Sequence, residues 1–186
     1  NAQEFNAVIE ESERYIPQLT DKELQAAWAL LRATALGRLD GLEAYKDALT
    51  MLVQTYPKTQ GAQKAQAQLD GFDVYNDLAL GEVEKAKIVF LRTLEDREQS
   101  EEDKTWLESW FTEEGIEMVL RVSIDVFNRD VETLVVHGFS SLKSAKETAA
   151  LLRKNNPRLL ASKNVVISTS QYRNALVSKR LEQLEN

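Results

Sequence analysis

Residues 85–93 read Lys-Ala-Lys-Ile-Val-Phe-Leu-Arg-Thr, a short apolar run that is rich in β-branched and aromatic side chains. Such a run is typical of a strand buried inside a sheet, so we predict the first strand of the chain here. Before Leu80 the apolar residues instead recur at helical spacing. We therefore expect the chain to change from helices to a layered sheet at this point.

Three further strands follow the first. Residues 121–127 alternate apolar and polar side chains, and after the turn at residues 128–130 an apolar run covers residues 133–139. Residues 165–168 form the last apolar run. Alternation is typical of a strand with one wetter face, whereas runs that are apolar on both faces belong inside a sheet. The second strand is therefore a predicted edge.

Two helices separate these strands, and a third ends the chain. Ser100 is the predicted N-cap of a helix that ends at Gly115, Ser140 opens the next, and residues 170–185 form the last. The resulting order is that of a ferredoxin-like βαββαβ domain with an extra C-terminal helix. In that arrangement the first and third strands are central. Two helices cover one sheet face, and the helical segment, the last helix or a partner covers the other.

Helices fill the first eighty residues. Residues 2–15 form a helix that Pro17 ends, and Thr20 or Asp21 caps a second helix that ends at Gly37. Two more helices follow, and small residues allow all of these helices to approach closely. The small residues are Ala26, Ala27, Ala44, Ala48, Ala62 and Ala65. This pattern predicts tetratricopeptide-like hairpins, with an ordinary helical bundle as the alternative.

The whole chain is thus predicted to be α+β, with a helical domain at residues 1–80, the end of a tetratricopeptide-like repeat array, and a ferredoxin-like α/β domain at residues 81–186. Its 186 residues carry 30 acidic and 23 basic side chains, a net charge of −7, which disfavours nucleic acid as a partner. No apolar run is long enough to span a membrane, and there is no cysteine to form disulfides or thiolate sites. The chain begins at Asn1, and we expect it to be a fragment.

The charges are unevenly distributed along the α/β domain. Residues 81–139 hold 15 acidic and 7 basic side chains, whereas residues 140–186 hold 3 acidic and 9 basic ones. Either the helices lying on one sheet have complementary charges, or the last segment is a basic surface that binds an acidic partner.

No residue set in the sequence has the pattern of a catalytic or metal site. His137 is the only histidine and lies in an apolar run, where we expect one ring nitrogen to bond to backbone. The acidic cluster at residues 95–103 lacks the spacing of a calcium loop, and Trp106 and Trp110 have the spacing of core residues. Phosphate loops and nucleophile motifs are missing too. We expect a non-enzymatic protein with no cofactor.

The uncovered sheet face is the best candidate for interaction, and two further surfaces are predicted to contact a partner. The first is the edge strand, with Arg121, Ser123, Asp125 and Phe127, which suits strand addition. The second is the last helix, whose basic residues suit an acidic partner. Those basic residues are Arg173, Lys179 and Arg180.

Three stretches carry a family resemblance: residues 137–141 (His-Gly-Phe-Ser-Ser), the alanine-rich helix after them, and residues 165–173 (Val-Val-Ile-Ser-Thr-Ser-Gln-Tyr-Arg). Together with the repeat-like residues 45–65, they resemble the C-terminal region of Bacteroidetes tetratricopeptide-repeat envelope lipoproteins of the type IX secretion and gliding machinery, the SprE/PorW type. The resemblance implies a periplasmic scaffold subunit, associated with the outer membrane through an anchor outside this chain, that binds other secretion subunits.

An alternative is an envelope module that resembles SPOR domains and binds peptidoglycan on its open sheet face. That function requires exposed aromatic and polar side chains across the face. An RNA-binding form of the fold is a third alternative, which the excess of acidic residues and the missing aromatic strand signature disfavour.

Overall fold

The computed structural model describes residues 2–75, 85–115, 120–159, 163–180 and 184. The chain divides into two compact units, Asn1–Gly81 and Glu82–Asn186. The protein belongs to the α+β class, since the described residues form seven α-helices and one four-stranded antiparallel sheet. Within the described residues, no helix combines the length and the apolar character that crossing a membrane requires.

The first unit holds four helices, and local signals in the sequence set their ends. These helices are α1 (Ala2–Tyr15), α2 (Lys22–Asp40), α3 (Leu42–Thr55) and α4 (Gln60–Tyr75). Pro17 lies in the short 3₁₀ turn that follows α1. Asp21 caps α2, because its side chain accepts a hydrogen bond of 2.8 Å from the Glu23 N–H.

The predicted end of α2 at Gly37 is wrong. The helix continues to Asp40, and the chain turns at Gly41, which has a φ of 97°. Gly37 is instead a close-contact position, because a Cβ there would lie only 3.0 Å from the Tyr45 Cβ. The glycine allows α2 and α3 to pack tightly rather than breaking the helix. The core of this unit is formed by Ala33, Leu49, Leu52, Ala62 and Ala65.

The second unit is built on a sheet of four strands. They are β1 (Ala86–Thr93), β2 (Arg121–Val126), β3 (Val131–Phe139) and β4 (Asn164–Ser168). The strand order is β2-β3-β1-β4 and all neighbours are antiparallel. The first and third strands are therefore central and the second and fourth are edges, as their apolar patterns indicate.

Three helices lie on this sheet: α5 (Arg97–Glu113), α6 (Leu142–Asn155) and α7 (Thr169–Ser178). Helices α5 and α6 pack on one face, which we call the first face, around Ile88, Phe90 and Leu134. On the second face, the Tyr172 and Ala175 side chains of α7 pack with Val89, Val135 and Ile167, and Leu184 joins the same cluster. Of the three coverings that the sequence leaves open, the last helix thus packs on the second face.

Three predicted helix ends in this unit are wrong. Helix α5 begins at Arg97, and Ser100 is buried inside it; a capping box of Thr93 and Asp96 precedes the helix instead. Ser141, not Ser140, caps α6 by accepting a hydrogen bond from the Ser144 N–H.

Helix α7 ends at Ser178, far short of Glu185, because Lys179 adopts the left-handed conformation with a φ of 57°. A left-handed residue at this position is a common helix stop.

Candidate functional site

The main polar cluster of the α/β unit lies between the second sheet face and α7. Its members are Lys87, Ser123, Asp125, Thr133, His137 and Tyr172, and we call them the polar cluster. Strand alternation places them together, because side chains two residues apart point to the same face. Val89 and Val135 continue the same face as an apolar core. Polar and apolar side chains therefore alternate along this face, since Val135 lies between Thr133 and His137 on β3 and faces Ser123 on β2.

A β-bulge brings Lys87 opposite His137. The register between β1 and β3 shifts between Ala86, which faces Phe139, and Ile88, which faces Val136. Two residues of β3 therefore oppose Lys87, and one of them, Gly138, has a φ of 107°. A bulge with a glycine in this conformation redirects neighbouring side chains, which explains the close approach of Lys87 to His137.

Both ring nitrogens of His137 bond to side chains. Its Nδ1 lies 2.6 Å from the Lys87 Nζ, and its Nε2 lies 2.6 Å from the Ser123 Oγ. A charged lysine has only donors, so the Lys87 ammonium donates to Nδ1, and the Nε2–H donates to Ser123. The expected backbone bond of the His137 ring is wrong. Burial lowers the pKa of His137, and the adjacent Lys87 charge lowers it further, against an opposing effect of Asp125.

Tyr172 connects α7 to the two strands nearest the edge. Its hydroxyl donates a hydrogen bond of 2.8 Å to the Asp125 Oδ2, and the Thr133 Oγ1 lies 2.8 Å from the same hydroxyl. Because the tyrosine proton is directed at Asp125, the Thr133 hydroxyl is the donor in the second bond. Burial, followed by the Asp125 charge, raises the pKa of Tyr172. The Lys87 Nζ lies 5.7 Å from the Tyr172 ring centroid, and this contact joins the two halves of the cluster.

The hydrogen bonds of the polar cluster hold secondary-structure elements together and do not activate a nucleophile. A serine nucleophile needs a neighbouring histidine nitrogen that accepts its proton, but Nε2 of His137 carries a proton when Lys87 is charged. The phenol of Tyr172 stays neutral because its pKa is raised. The cluster therefore ties β1, β2, β3 and α7 together through hydrogen bonds.

The predicted contact residues of the edge strand differ in how far they are exposed to solvent. Arg121 is exposed, whereas Ser123 and Asp125 are half-buried and bonded within the polar cluster. Phe127 lies just beyond β2 and is fully buried in the core of the second face. The prediction of Phe127 as a surface contact is therefore wrong, because its side chain belongs to the core.

The basic residues predicted on the last helix lie on α7 or just after it. Arg173 and Arg180 are exposed, and the Nζ of Lys179 lies 5.9 Å from the Phe127 ring centroid. Sequence reasoning missed Lys87, Thr133 and Tyr172 as members of the polar cluster. A signal for Lys87 was present, since a lysine inside an apolar strand requires a partner or a path to solvent.

Along the outer edge of β2, backbone groups have no strand partner among the described residues. The Phe127 N–H donates to the Val131 C=O at 2.9 Å, which continues the register of β2 and β3. Because hydrogen-bonded pairs alternate in an antiparallel ladder, the N–H and C=O groups of Val122, Ile124 and Val126 point away from β3. In the described part of the chain, β2 has no neighbouring strand on that side.

The acidic residues at the start of α5 lie at the surface. Glu98, Glu101 and Glu102 line an open depression of about 650 Å³ together with Trp106. Arg97 pairs with Glu101 at 2.9 Å, and Gln99 donates to Glu102. Among the described residues there is no group of three or more histidine and acidic side chains that could hold a metal ion.

The two tryptophans of α5 stack with ring centroids 5.9 Å apart. Trp110 is buried in the first-face core, as its spacing indicates, and Trp106 packs against that core while half-buried.

Comparison of the chain with protein-family models, curated proteins and solved structures finds no match.

Proposed function

We propose that this protein is a non-enzymatic adaptor that binds a partner subunit by strand addition at the outer edge of β2. The observation that carries this proposal is the row of outward backbone groups on Val122, Ile124 and Val126. An extended segment of a partner can pair with such a row, and the backbone hydrogen bonds supply affinity.

The contacts that hold β2 in place support the same proposal. Ser123 and Asp125 alternate with the outward residues, and both are held by hydrogen bonds to His137 and Tyr172. Val122 is buried in the core of the first face. An edge that is fixed before binding loses less conformational entropy when it accepts a strand. The positive charge of the exposed Arg121 beside this edge would favour a partner that carries a negative charge there.

In its finer form, the proposal is that the α/β unit is ferredoxin-like, that the helical unit is tetratricopeptide-like, and that the adaptor works in the periplasm with type IX secretion subunits. The strand order and the packed helical hairpins are consistent with the first two parts. The resemblance of residues 137–173 supports the third.

The alternative of peptidoglycan binding requires an open second sheet face. Tyr172, Ala175 and Leu184 pack on that face in this structure, so we favour the adaptor.

Site-specific crosslinking in cells of the source organism tests the adaptor role. A photoreactive amino acid replaces Arg121 beside the β2 edge, and a matched control replaces Lys146, which is exposed on α6. We expect position 121 to crosslink to one envelope subunit, and position 146 to give no such product. A crosslinked type IX secretion subunit would support the finer proposal.

Proline at position 126 then tests the binding mode. Val126→Pro removes an outward N–H without removing a bond to β3, whereas Val126→Ala keeps that N–H. We expect Val126→Pro alone to abolish the crosslink, with thermal unfolding used to verify that both variants fold. Retention of the crosslink in a folded Val126→Pro variant would reject strand addition, and failure of position 121 to crosslink would reject this edge as the contact.

A further inference from the structure

Among the described residues, few side chains of helix α7 are buried against the sheet. The helix has ten residues, and only Tyr172 and Ala175 among them are buried. Tyr172 contributes hydrogen bonds to Asp125 and Thr133, and its ring faces the Lys87 ammonium. A short helix with so little apolar burial depends on its tertiary contacts to stay folded and docked. The polar cluster is therefore a major part of its attachment.

We propose that the polar cluster is a pH-sensitive latch, in which neutral His137 holds Lys87 against Tyr172, and protonation of His137 releases α7 from the sheet. This inference does not depend on the adaptor role, because it concerns only the attachment of α7 within the chain.

The geometry of the Lys87–His137 bond requires a neutral imidazole. A protonated imidazole has donors at both nitrogens and offers no lone pair to an ammonium 2.6 Å away. Protonation of His137 therefore breaks this bond and places two like charges in contact. Lys87 must then move, and its movement removes the contact with the Tyr172 ring.

The surrounding charges reinforce this response. Lys87 on β1 and Arg121 on β2 are positive and act on His137, while Arg173 on α7 acts on Lys87. Among the described residues, the acidic group that acts on both is Asp125 on β2, which already accepts the Tyr172 hydroxyl. The attraction of Asp125 for an imidazolium only partly offsets this response, because burial and the Lys87 charge have larger effects on His137.

The direction of the pH dependence follows from the shift of His137. Burial is the main cause that lowers the pKa of His137 below 6.5, and release of α7 from this face reduces that burial, so the released state binds the proton more tightly than the docked state. The docking of α7 is therefore strongest above pH 6.5 and weakens as the pH falls through 6.5 towards the lowered pKa. Release uncovers the apolar residues Val89, Val135 and Ile167 on the second face.

Hydrogen exchange on the full chain tests the latch between about pH 7.5 and pH 5, a range that brackets the ordinary histidine pKa. After correction for intrinsic chemical exchange, we expect the protection of α7 amides to fall severalfold from the higher to the lower pH, because protonation of His137 favours the released state. Amides of α6, which packs on the first face, serve as the internal control and should keep their protection.

The variant His137→Gln distinguishes the release of α7 by His137 protonation from other effects of low pH on the protein. Glutamine can accept a bond from Lys87 and donate one to Ser123, but it does not titrate. We expect α7 protection in His137→Gln to be independent of pH over this range. Equal loss of protection in His137→Gln, or an equal loss in α6, would overturn the proposal.

Because His137 is the only histidine, its ring signals in an NMR titration are unambiguous even if that variant fails to fold. We expect a midpoint below 6.5 that coincides with the loosening of α7, and an upward shift of the midpoint in Lys87→Met. A midpoint at or above 6.5 would contradict the latch, and so would α7 amides whose protection does not change across the titration.

Discussion

Arg92 on β1 and Asp103 on α5 form an ion pair of 3.0 Å in which the two side chains are only 5% and 3% exposed. Arg158, from the loop after α6, donates to the other oxygen of Asp103 at 3.2 Å. Nearby on the same sheet face, Arg97 at the start of α5 pairs with Glu132 of β3 at 2.7 Å. These bonds attach the acidic helix to the sheet and to the following loop. Of these ion pairs, only the Arg158–Asp103 pair joins the basic segment at residues 140–186 to the acidic segment at residues 81–139, as the first of the two explanations of the charge pattern requires.

Asp103→Asn should therefore be strongly destabilising. The substitution leaves Arg92 buried without its counter-charge, and breaking a buried pair in this way costs about 3–5 kcal/mol. Urea unfolding of the full chain measures the change. The exposed neighbour Glu102→Gln is the control and should change the free energy of unfolding by less than about 0.5 kcal/mol. Similar small effects of both substitutions would show that the buried pair adds little.

Two glycines of α4 should respond to alanine in opposite directions. A Cβ at Gly61 would lie 2.8 Å from the Ala26 Cβ and 3.1 Å from backbone atoms of Ala26, whereas a Cβ at Gly71 would meet no atom within 4 Å. Gly61→Ala should cost about 1–3 kcal/mol through overpacking. Gly71→Ala should stabilise by about 0.4–1 kcal/mol, because alanine restricts the unfolded chain.

Thermal or urea unfolding of the two glycine variants provides the comparison. Stabilisation by Gly61→Ala would mean that α2 and α4 separate easily, contrary to the tight contact in the structure.

Strand positions were easier to infer from this sequence than the ends of its helices. The apolar runs at residues 85–93 and 133–139 lie in the central strands. A strand that is buried on both faces consists mainly of apolar residues, and such a run is visible in the sequence. Gly37 and Ser100 misled the prediction because the same residue types serve both as helix boundaries and as close-packed interior positions. Only the three-dimensional neighbours distinguish these two uses.

The polar cluster was still harder to predict. Its contacts join residues that are distant in sequence, such as Lys87 and His137, which are 50 positions apart, and a bulge in β3 sets their alignment. A one-residue shift in register changes which side chains share a face, so spacing alone could not bring these residues together. From sequence, His137 was an ordinary strand residue and Asp125 a predicted surface contact, and neither pattern indicated the partner that each has in the structure.

Removal of the Tyr172 hydroxyl should destabilise the α/β unit. Tyr172→Phe leaves Asp125 and Thr133 without their shared partner in a buried setting, which costs about 1–3 kcal/mol. The matched control is Tyr45→Phe, which removes an exposed bond of 2.8 Å to Gln68 and should cost less than about 1 kcal/mol. Urea unfolding gives both values. Equal costs would indicate that the buried hydroxyl is no more important than the exposed one.

Charge reversal on α7 and just after it should weaken partner binding in a salt-dependent way. Arg173→Glu with Arg180→Glu reverses two exposed charges, whereas Lys179→Glu also removes a contact with the Phe127 ring and is therefore a less selective test. For the subunit that crosslinks at position 121, we expect the double variant to raise Kd about fivefold to tenfold at low salt. The difference should nearly vanish at about 1 M salt, where the screening length is only about 3 Å.

Lys143→Glu with Lys146→Glu on α6 controls for net charge, because it reverses the same number of exposed positive charges on the other sheet face. If it weakens binding as much as the α7 variant does, the partner responds to overall charge. If neither variant changes Kd at any salt concentration, the basic residues of α7 are not a contact, and the β2 edge alone would account for binding. A loss confined to the α7 variant would instead indicate that the partner spans both the edge strand and this helix, since β2 and α7 meet at the Asp125–Tyr172 hydrogen bond.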